Sequence, residues 1–192
     1  MRNDEMYLQL YIIRHAESMG NVETDESFDK TNPPLTLHGK KQAEALGRRF
    51  ADLKEYTLYA SPLERAVETA SNISVNMIID NDLLERGVRK NENGFEDFDE
   101  SDDECIARAE RVINRIKSKH INHESVIIVA HGMFAQFLIR AALDIPFGIM
   151  RFSVYNASVT KINFCKTELP KLALQNDISH LIDTDGEKLF WM

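Results

Sequence analysis

Apolar and polar positions change period several times along this chain, and each change marks an element. Leu10-Tyr11-Ile12-Ile13 is a short β-branched run that stops on Arg14-His15, with the turn formers Gly20-Asn21 soon after, which predicts a buried strand. Residues 22–34 are polar and end in Asn32-Pro33-Pro34, a loop. Over residues 37–53, Ala43, Leu46, Phe50 and Leu53 recur at three and four residues while Lys40, Lys41, Arg48 and Arg49 fall largely off that stripe, so a helix is expected. Residues 57–60 read as a strand. Ser61-Pro62-Leu63-Glu64 then reads as a helix start, with serine as cap, proline in the first position and glutamate completing a capping box. That helix continues through Ala66, Val67, Ala70 and Ile73, and residues 76–80 form the next short strand.

Residues 91–104 are acidic and interrupted by Asn and Gly, a loop or lid. Ser101-Asp102-Asp103-Glu104 is a second capping box, opening a helix through Ile106, Ala109, Val112, Ile113 and Ile116. Residues 125–130 are the most continuous apolar run and end at His131-Gly132; a helix follows through Phe134, Phe137, Leu138, Ala141 and Leu143. Beyond Pro146 the pattern is β again, over residues 151–164 with an interruption at Asn156-Ala157-Ser158, and a last strand covers Leu172-Ala173-Leu174. Strands alternating with helices predict an α/β fold, a three-layer α/β/α arrangement around a mostly parallel central sheet. No repeat, low-complexity tract or long linker divides residues 1–192, so one domain is expected, with a short acidic lid around residues 86–104.

Composition narrows the partners. With 31 acidic residues against 23 basic ones the net charge is −8, which argues against nucleic acid or an anionic membrane as the main partner. No run approaches the ~18 apolar residues of a membrane helix, and the first residues lack the apolar core of a signal peptide. The two cysteines, Cys105 and Cys165, stand in unrelated contexts and read as reduced thiols of a cytoplasmic protein. His120 and His123 have a spacing that a metal could use, but cations at a helix C-terminus account for them. The aspartates of the lid lack the glycine and ligand alternation of a calcium loop. Phe28, Phe95 and Phe98 in polar loops either pack against a ligand or anchor the loops, with anchoring favoured, and oligomeric state is left open.

Candidate chemistry comes from strand ends. If the strands ending at Arg14-His15 and at His131 are parallel neighbours, both imidazoles emerge at the carboxyl edge of the sheet, where ligands of open α/β folds bind. Arg65 lies in the first turn of a helix, where the dipole disfavours a cation unless an anion stands beyond that end. Glu85 follows the third strand. Arginine offers a planar fork that fits phosphate, an unprotonated imidazole is a nucleophile, and a carboxyl group can protonate a leaving oxygen and then serve as base toward water. Phosphoryl transfer at such a site needs no metal and no cofactor.

The chain resembles the histidine phosphatase (phosphoglycerate mutase-like) superfamily. Arg14-His15-Ala16-Glu17-Ser18-Met19-Gly20-Asn21 is similar to its Arg-His-Gly-Glu-Ser/Thr-x-x-Asn signature, and the likeness continues at residues 34–43, 60–70, Leu84-Glu85, 129–132, 156–159 and 176–181. The resemblance implies a phosphoglycerate mutase-like fold, His15 as the nucleophile that becomes phosphohistidine, and Arg14, Arg65 and His131 as the phosphate pocket. It further implies Asn21 as an added donor and Glu85 as the acid/base. Gly132 after the second histidine points away from the acid-phosphatase branch. Ala16 departs from the usual glycine, and activity is expected to survive that change. The segment after Glu85 lacks the longer insert with a basic pair carried by glycolytic mutases. Its aspartates, Asp97, Asp99, Asp102 and Asp103, are expected to repel a bisphosphorylated metabolite and to favour a positive or neutral leaving portion. The expected activity is therefore hydrolysis of small phosphomonoesters. The alternatives are mutase-type transfer and a weakly catalytic member that binds a phosphorylated ligand or protein.

Overall fold

A computed structural model describes residues 6–22, 29–122 and 124–182. In chain order the elements are β1 (Met6–Arg14), α1 (Leu37–Phe50), β2 (Tyr56–Ala60), α2 (Glu64–Ser71), β3 (Ile78–Ile79), β4 (Val88–Asn91) and β5 (Gly94–Asp97). They continue with α3 (Asp102–Lys119), β6 (Glu124–Ala130), α4 (Gly132–Leu143), β7 (Val159–Cys165) and β8 (Lys171–Asp177).

Six strands make one sheet in the order β3-β2-β6-β1-β7-β8. The β3-β2, β2-β6 and β6-β1 pairs are parallel; β7 runs antiparallel to β1, and β8 antiparallel to β7. The alternation of a strand sends successive side chains to opposite faces, and here both faces are covered. Leu8, Leu10, Ile12, Val126 and Ile128 pack with Ala109, Val112 and Ile113 of α3 and Phe134 and Leu138 of α4. Ile13, Leu58, Ala60, Ile127 and Val129 pack with Ala43, Leu46 and Phe50 of α1 and Ala66 and Ala70 of α2. This is the expected three-layer α/β fold. Burying each such Leu or Ile contributes roughly 1.5–3 kcal/mol, so the central strands are its most heavily stabilised part.

The register decides where the chemistry lies. Arg14 is level with Ala130 and Ala60 with Val129, so β1, β2 and β6 end together at one edge of the sheet. The residues immediately beyond those ends are His15, Ser61 and His131.

Several local expectations change. α1 stops at Phe50, three residues before Leu53, with Arg48 and Arg49 in the last turn. β3 is only two residues long and exposed, an edge strand. The segment expected as a loop contains a hairpin, with Val88 opposite Asp97 and Asn91 opposite Gly94, whose φ of 127° suits the tight connection. β structure after Pro146 begins only at Val159. Ser61 caps no helix. α2 starts after Leu63, and its exposed first N–H, on Glu64, donates 2.7 Å to the Asn32 carboxamide. The capping box of α3 forms as expected: the Glu104 N–H donates to Ser101 Oγ at 3.3 Å, and the Ser101 N–H donates back to Glu104 Oε2 at 2.9 Å. Phe28 and His123 lie outside the described residues.

Candidate active site

His15 follows β1 directly. Its backbone N–H donates 2.9 Å to the Ala130 carbonyl, and its own carbonyl accepts from the Ala157 N–H at 3.2 Å. The ring is buried, and Nδ1 lies 2.7 Å from the Ala16 carbonyl oxygen. A carbonyl can only accept, so Nδ1 carries the proton and Nε2 keeps its lone pair. Arg65 Nε donates toward that lone pair at 3.3 Å. Burial, and then the positive charges of Arg65 and Arg14, hold the His15 pKa well below the usual imidazole value. The neutral imidazole therefore presents Nε2 to the space in front of the two guanidinium groups.

Arg65 is buried despite its charge and stands in the first turn of α2, as its odd sequence position suggests. Its Nη1 donates to the Thr31 carbonyl at 3.2 Å. Burial lowers its pKa to about 10, so it remains a cation at neutral pH. Arg14 is held by Val154, whose carbonyl accepts from Nη1 at 2.8 Å. Gly132 packs closely beside it: a Cβ there would lie 3.1 Å from Arg14 Nε and press on that guanidinium.

His131 stands at the N-cap position of α4 and is fully buried. Its pKa is pushed well below the usual value by burial, and then by Arg65. The ring centroid is 5.1 Å from that of His15. Nε2 of His131 is 2.7 Å from Ser61 Oγ, which also accepts from the Leu63 N–H at 3.4 Å. The fully buried Ser61 hydroxyl has no other acceptor among the described residues, so it donates to Nε2 and the ring proton sits on Nδ1. His131 Nδ1 and Arg14 Nε are both buried and have no partner among the described residues. Unpaired buried donors cost about 1–3 kcal/mol each, and a phosphoryl oxygen is an acceptor that would satisfy both.

Glu85 takes the place a capping side chain would have on α4. Its Oε1 accepts from the N–H groups of Phe134 (2.9 Å) and Arg86 (2.8 Å), and Oε2 accepts from Met133 at 3.3 Å. Oε2 is thus the freer oxygen. The carboxylate also acts electrostatically on Arg14 and Arg65, which places it in their field. Asn21 sits at the rim. Its Oδ1 accepts from the Ser18 N–H (3.0 Å), the Ser18 hydroxyl (3.1 Å) and Asn156 Nδ2 (3.1 Å), which turns its amide N–H₂ away as a donor.

The structure thus gathers Arg14, His15, Arg65 and His131 into one cluster, with Asn21 at its rim and Glu85 within the field of the arginines. The Ala16 methyl is fully buried in the cluster under α1 and α2, away from solvent, and its N–H donates to Thr69 Oγ1 at 3.0 Å. Ala16 has no positive φ, so nothing in the backbone there demands glycine. Several lid acids are already paired: Glu96 with Arg89, Glu100 with Arg108 and Asp102 with Arg86. Phe95 packs with Leu63, Leu84 and Val88, and the Arg89 guanidinium stacks over Phe98, so both rings anchor the hairpin. His120 is buried against Glu124 and the Tyr59 hydroxyl, and no cluster of three metal-binding side chains occurs among the described residues. Sequence reasoning missed Ser61, Asn156 and the Arg108–Glu100 pair. Ser61 was visible only as a capping residue, because its contact with His131 spans 70 positions.

The fold and this pocket define a class. The family model of the histidine phosphatase superfamily (branch 1) matches residues 10–102 and 87–178, and the chain belongs to that family. A Schizosaccharomyces pombe protein named "Probable phosphatase C1620.13" is 28% identical over an alignment of 166 positions, gaps included, that covers 74% of this chain and 58% of that protein. The chain is 27% identical to an Erwinia tasmaniensis protein named "Probable phosphoglycerate mutase GpmB" over an alignment of 216 positions, gaps included, that covers 95% of this chain and 99% of the relative. Among solved structures, a phosphoserine phosphatase from Entamoeba histolytica in complex with phosphoserine superposes with a TM-score of 0.70 at 18% identity, covering 91% of this chain and 99% of that one. That likeness is one of fold. No helix among the described residues is long and apolar enough to cross a membrane.

Proposed function

We propose that this chain is a metal-independent phosphatase that hydrolyses small phosphomonoesters through a phosphohistidine intermediate, in one domain and in the cytoplasm. His15 Nε2 attacks phosphorus as the bond to the leaving oxygen breaks, and Glu85 gives that oxygen its proton. Glu85 then takes a proton from water, which attacks phosphorus and breaks the P–N bond, releasing phosphate and the free imidazole. Arg14, Arg65, His131 Nδ1–H and the Asn21 amide carry the charge on the phosphoryl oxygens.

One observation carries this reading: the Ala16 carbonyl fixes the His15 proton on Nδ1, so the lone pair of an imidazole kept neutral at neutral pH faces two arginines. The test is hydrolysis of an aryl phosphate with chelator present, from about pH 5 to about pH 8. The parent should turn over, His15→Ala should lose all measurable turnover, and Glu85→Gln should lose most turnover while keeping phosphate affinity. Turnover surviving in His15→Ala would overturn the mechanism.

The name of the Erwinia relative favours a second reading, phosphoryl transfer between hydroxyls of a phosphoglycerate. It requires isomerisation that depends on a bisphosphorylated primer. Against it, the segment between Glu85 and α3 is only a short hairpin.

A further inference from the structure

A groove of about 580 Å³ runs along α4 and is lined by Arg86 and Met133, whose backbone N–H groups bind Glu85. Its floor is one face of that helix, Met133, Gln136, Phe137 and Arg140, at the three- and four-residue spacing that aligns side chains. Arg86 and Asp102 form one wall and residues 147–151 the other. The inner end is fixed chemically: the backbone N–H groups of Met133 and Arg86 bind the two carboxylate oxygens of Glu85.

The far wall is held at both ends. Arg140 donates 3.0 Å to the Pro146 carbonyl, and Arg14 donates 2.8 Å to that of Val154. Phe147 stacks on Phe137 with ring centroids 5.4 Å apart. Between these anchors the wall presents apolar surface to solvent, with Ile149 68% and Met150 47% exposed, opposite Met133 at 46%. Exposed apolar surface gathered in one concavity marks a binding site.

The charge of the groove is opposite to that of the molecule. Three arginines and one aspartate line it, in a chain of net charge −8. Arg86 is occupied by Asp102 and the Glu100 carbonyl, and buried Arg140 by Pro146. Arg151 is exposed and has no partner among the described residues.

The geometry points to a leaving-group subsite for an alcohol with an apolar, ring-sized body that ends in a carboxylate. The body lies on Met133, Phe147, Ile149 and Met150, and the carboxylate reaches Arg151. This rests on the phosphatase reading above and names its substrate class. It replaces the expectation of a positive or neutral leaving portion, which rested on the acidity of residues 86–104; of the four aspartates behind it, Asp102 is paired with Arg86.

The experiment compares three primary alkyl phosphates of similar leaving-group acidity: ethyl phosphate, 3-phenylpropyl phosphate and 3-(4-carboxyphenyl)propyl phosphate. Expected is a rise in kcat/KM of about tenfold from the ring and a further two- to fivefold from the carboxylate. Arg151→Ala should remove the second step and keep the first, and Met150→Asp should shrink the first. Dissociation constants of the matching phosphonates give the same ratios without turnover. Equal values across the series, in turnover and in binding, would overturn the subsite. If ethyl phosphate is nonetheless cleaved in a His15-dependent way, the phosphatase reading stands alone. If nothing is cleaved but the phosphonate ratios appear, the subsite stands and the mechanism fails. A flat series with a dimer that Met150→Asp dissociates would assign this face to a second copy of the chain.

Discussion

Ser61 follows a strand and precedes a helix, yet it serves a histidine rather than the helix. Its hydroxyl determines which nitrogen of His131 carries the proton, and so whether that ring faces the pocket with a donor or with a lone pair. Ser61→Ala is expected to lower kcat/KM by about tenfold, the value of one neutral hydrogen bond at a buried site, with Ser61→Thr retaining most activity. The ¹⁵N shifts of His131 give an independent readout, because the Nδ1–H form should lose its dominance in the alanine variant. An unchanged tautomer with unchanged kcat/KM would remove Ser61 from the site. Arg65 and Ala16 illustrate the opposite situation. Arg65 was legible because its position breaks a helix-dipole preference, and the structure finds it buried against His15. Ala16 departed from the family signature, but its effect depended on where the methyl points, which no signature states.

Glu85 lies on an irregular segment, so something must hold that segment still. Arg108 of α3 does so: Nη1 donates to the carbonyls of Asp82 (2.9 Å) and Leu84 (2.8 Å), while Nε and Nη2 bind Glu100 at 2.8 Å each. Glu100 in turn accepts from the Gly87 N–H at 3.0 Å, and Arg108 lies over the Phe134 ring at 3.7 Å. Both partners are buried, and removing one strands the other. Arg108→Ala should therefore cost about 3–5 kcal/mol of stability and lower kcat more than it raises KM. Urea unfolding and steady-state kinetics check both, and a variant as stable and active as its parent would refute the clamp. α1 meets the site differently. Gly39 lets the helix rest on the strand-end loop, since a Cβ there would lie 1.9 Å from the Glu17 carbonyl oxygen. The helices and the central strands were readable because their periods repeat over many residues. The hairpin of β4 and β5 was not, because two four-residue strands rich in charge carry too short an alternation, and their pairing is decided by Leu63 and Leu84 beneath them.

Across the whole molecule, three histidines share one behaviour. His15 and His131 are held well below the usual imidazole pKa by burial and by the arginines, and His180 is lowered to about 4 by burial and by Arg49. The unfolded chain takes up protons near pH 6.5, whereas the folded chain refuses them until lower pH. The stability from these groups is complete above about pH 6.5 and is lost as the pH falls through the folded pKa values. Urea midpoints should be level from about pH 8 to about pH 7 and decline steadily toward about pH 4. A midpoint that holds or rises on acidification would contradict this. His15→Ala and His131→Ala should each flatten the decline, since each removes one group that must stay neutral.

The alternation of the central strands with the helices, the three layers and the choice of Arg14, His15, Arg65, Glu85 and His131 as candidates came from the sequence alone. Those features depend on local periodicity and on side-chain chemistry that survives in one dimension. Register, by contrast, is a relation between segments far apart in the chain. The alignment of Arg14 with Ala130 and of Ala60 with Val129 sets both imidazoles and Ser61 at one edge. Tautomers, paired acids and the cationic groove depend in the same way on which groups meet across the fold. Hydrogen bonds act only within a few ångströms, and only tertiary packing brings residues 61 and 131, or 85 and 134, to that range.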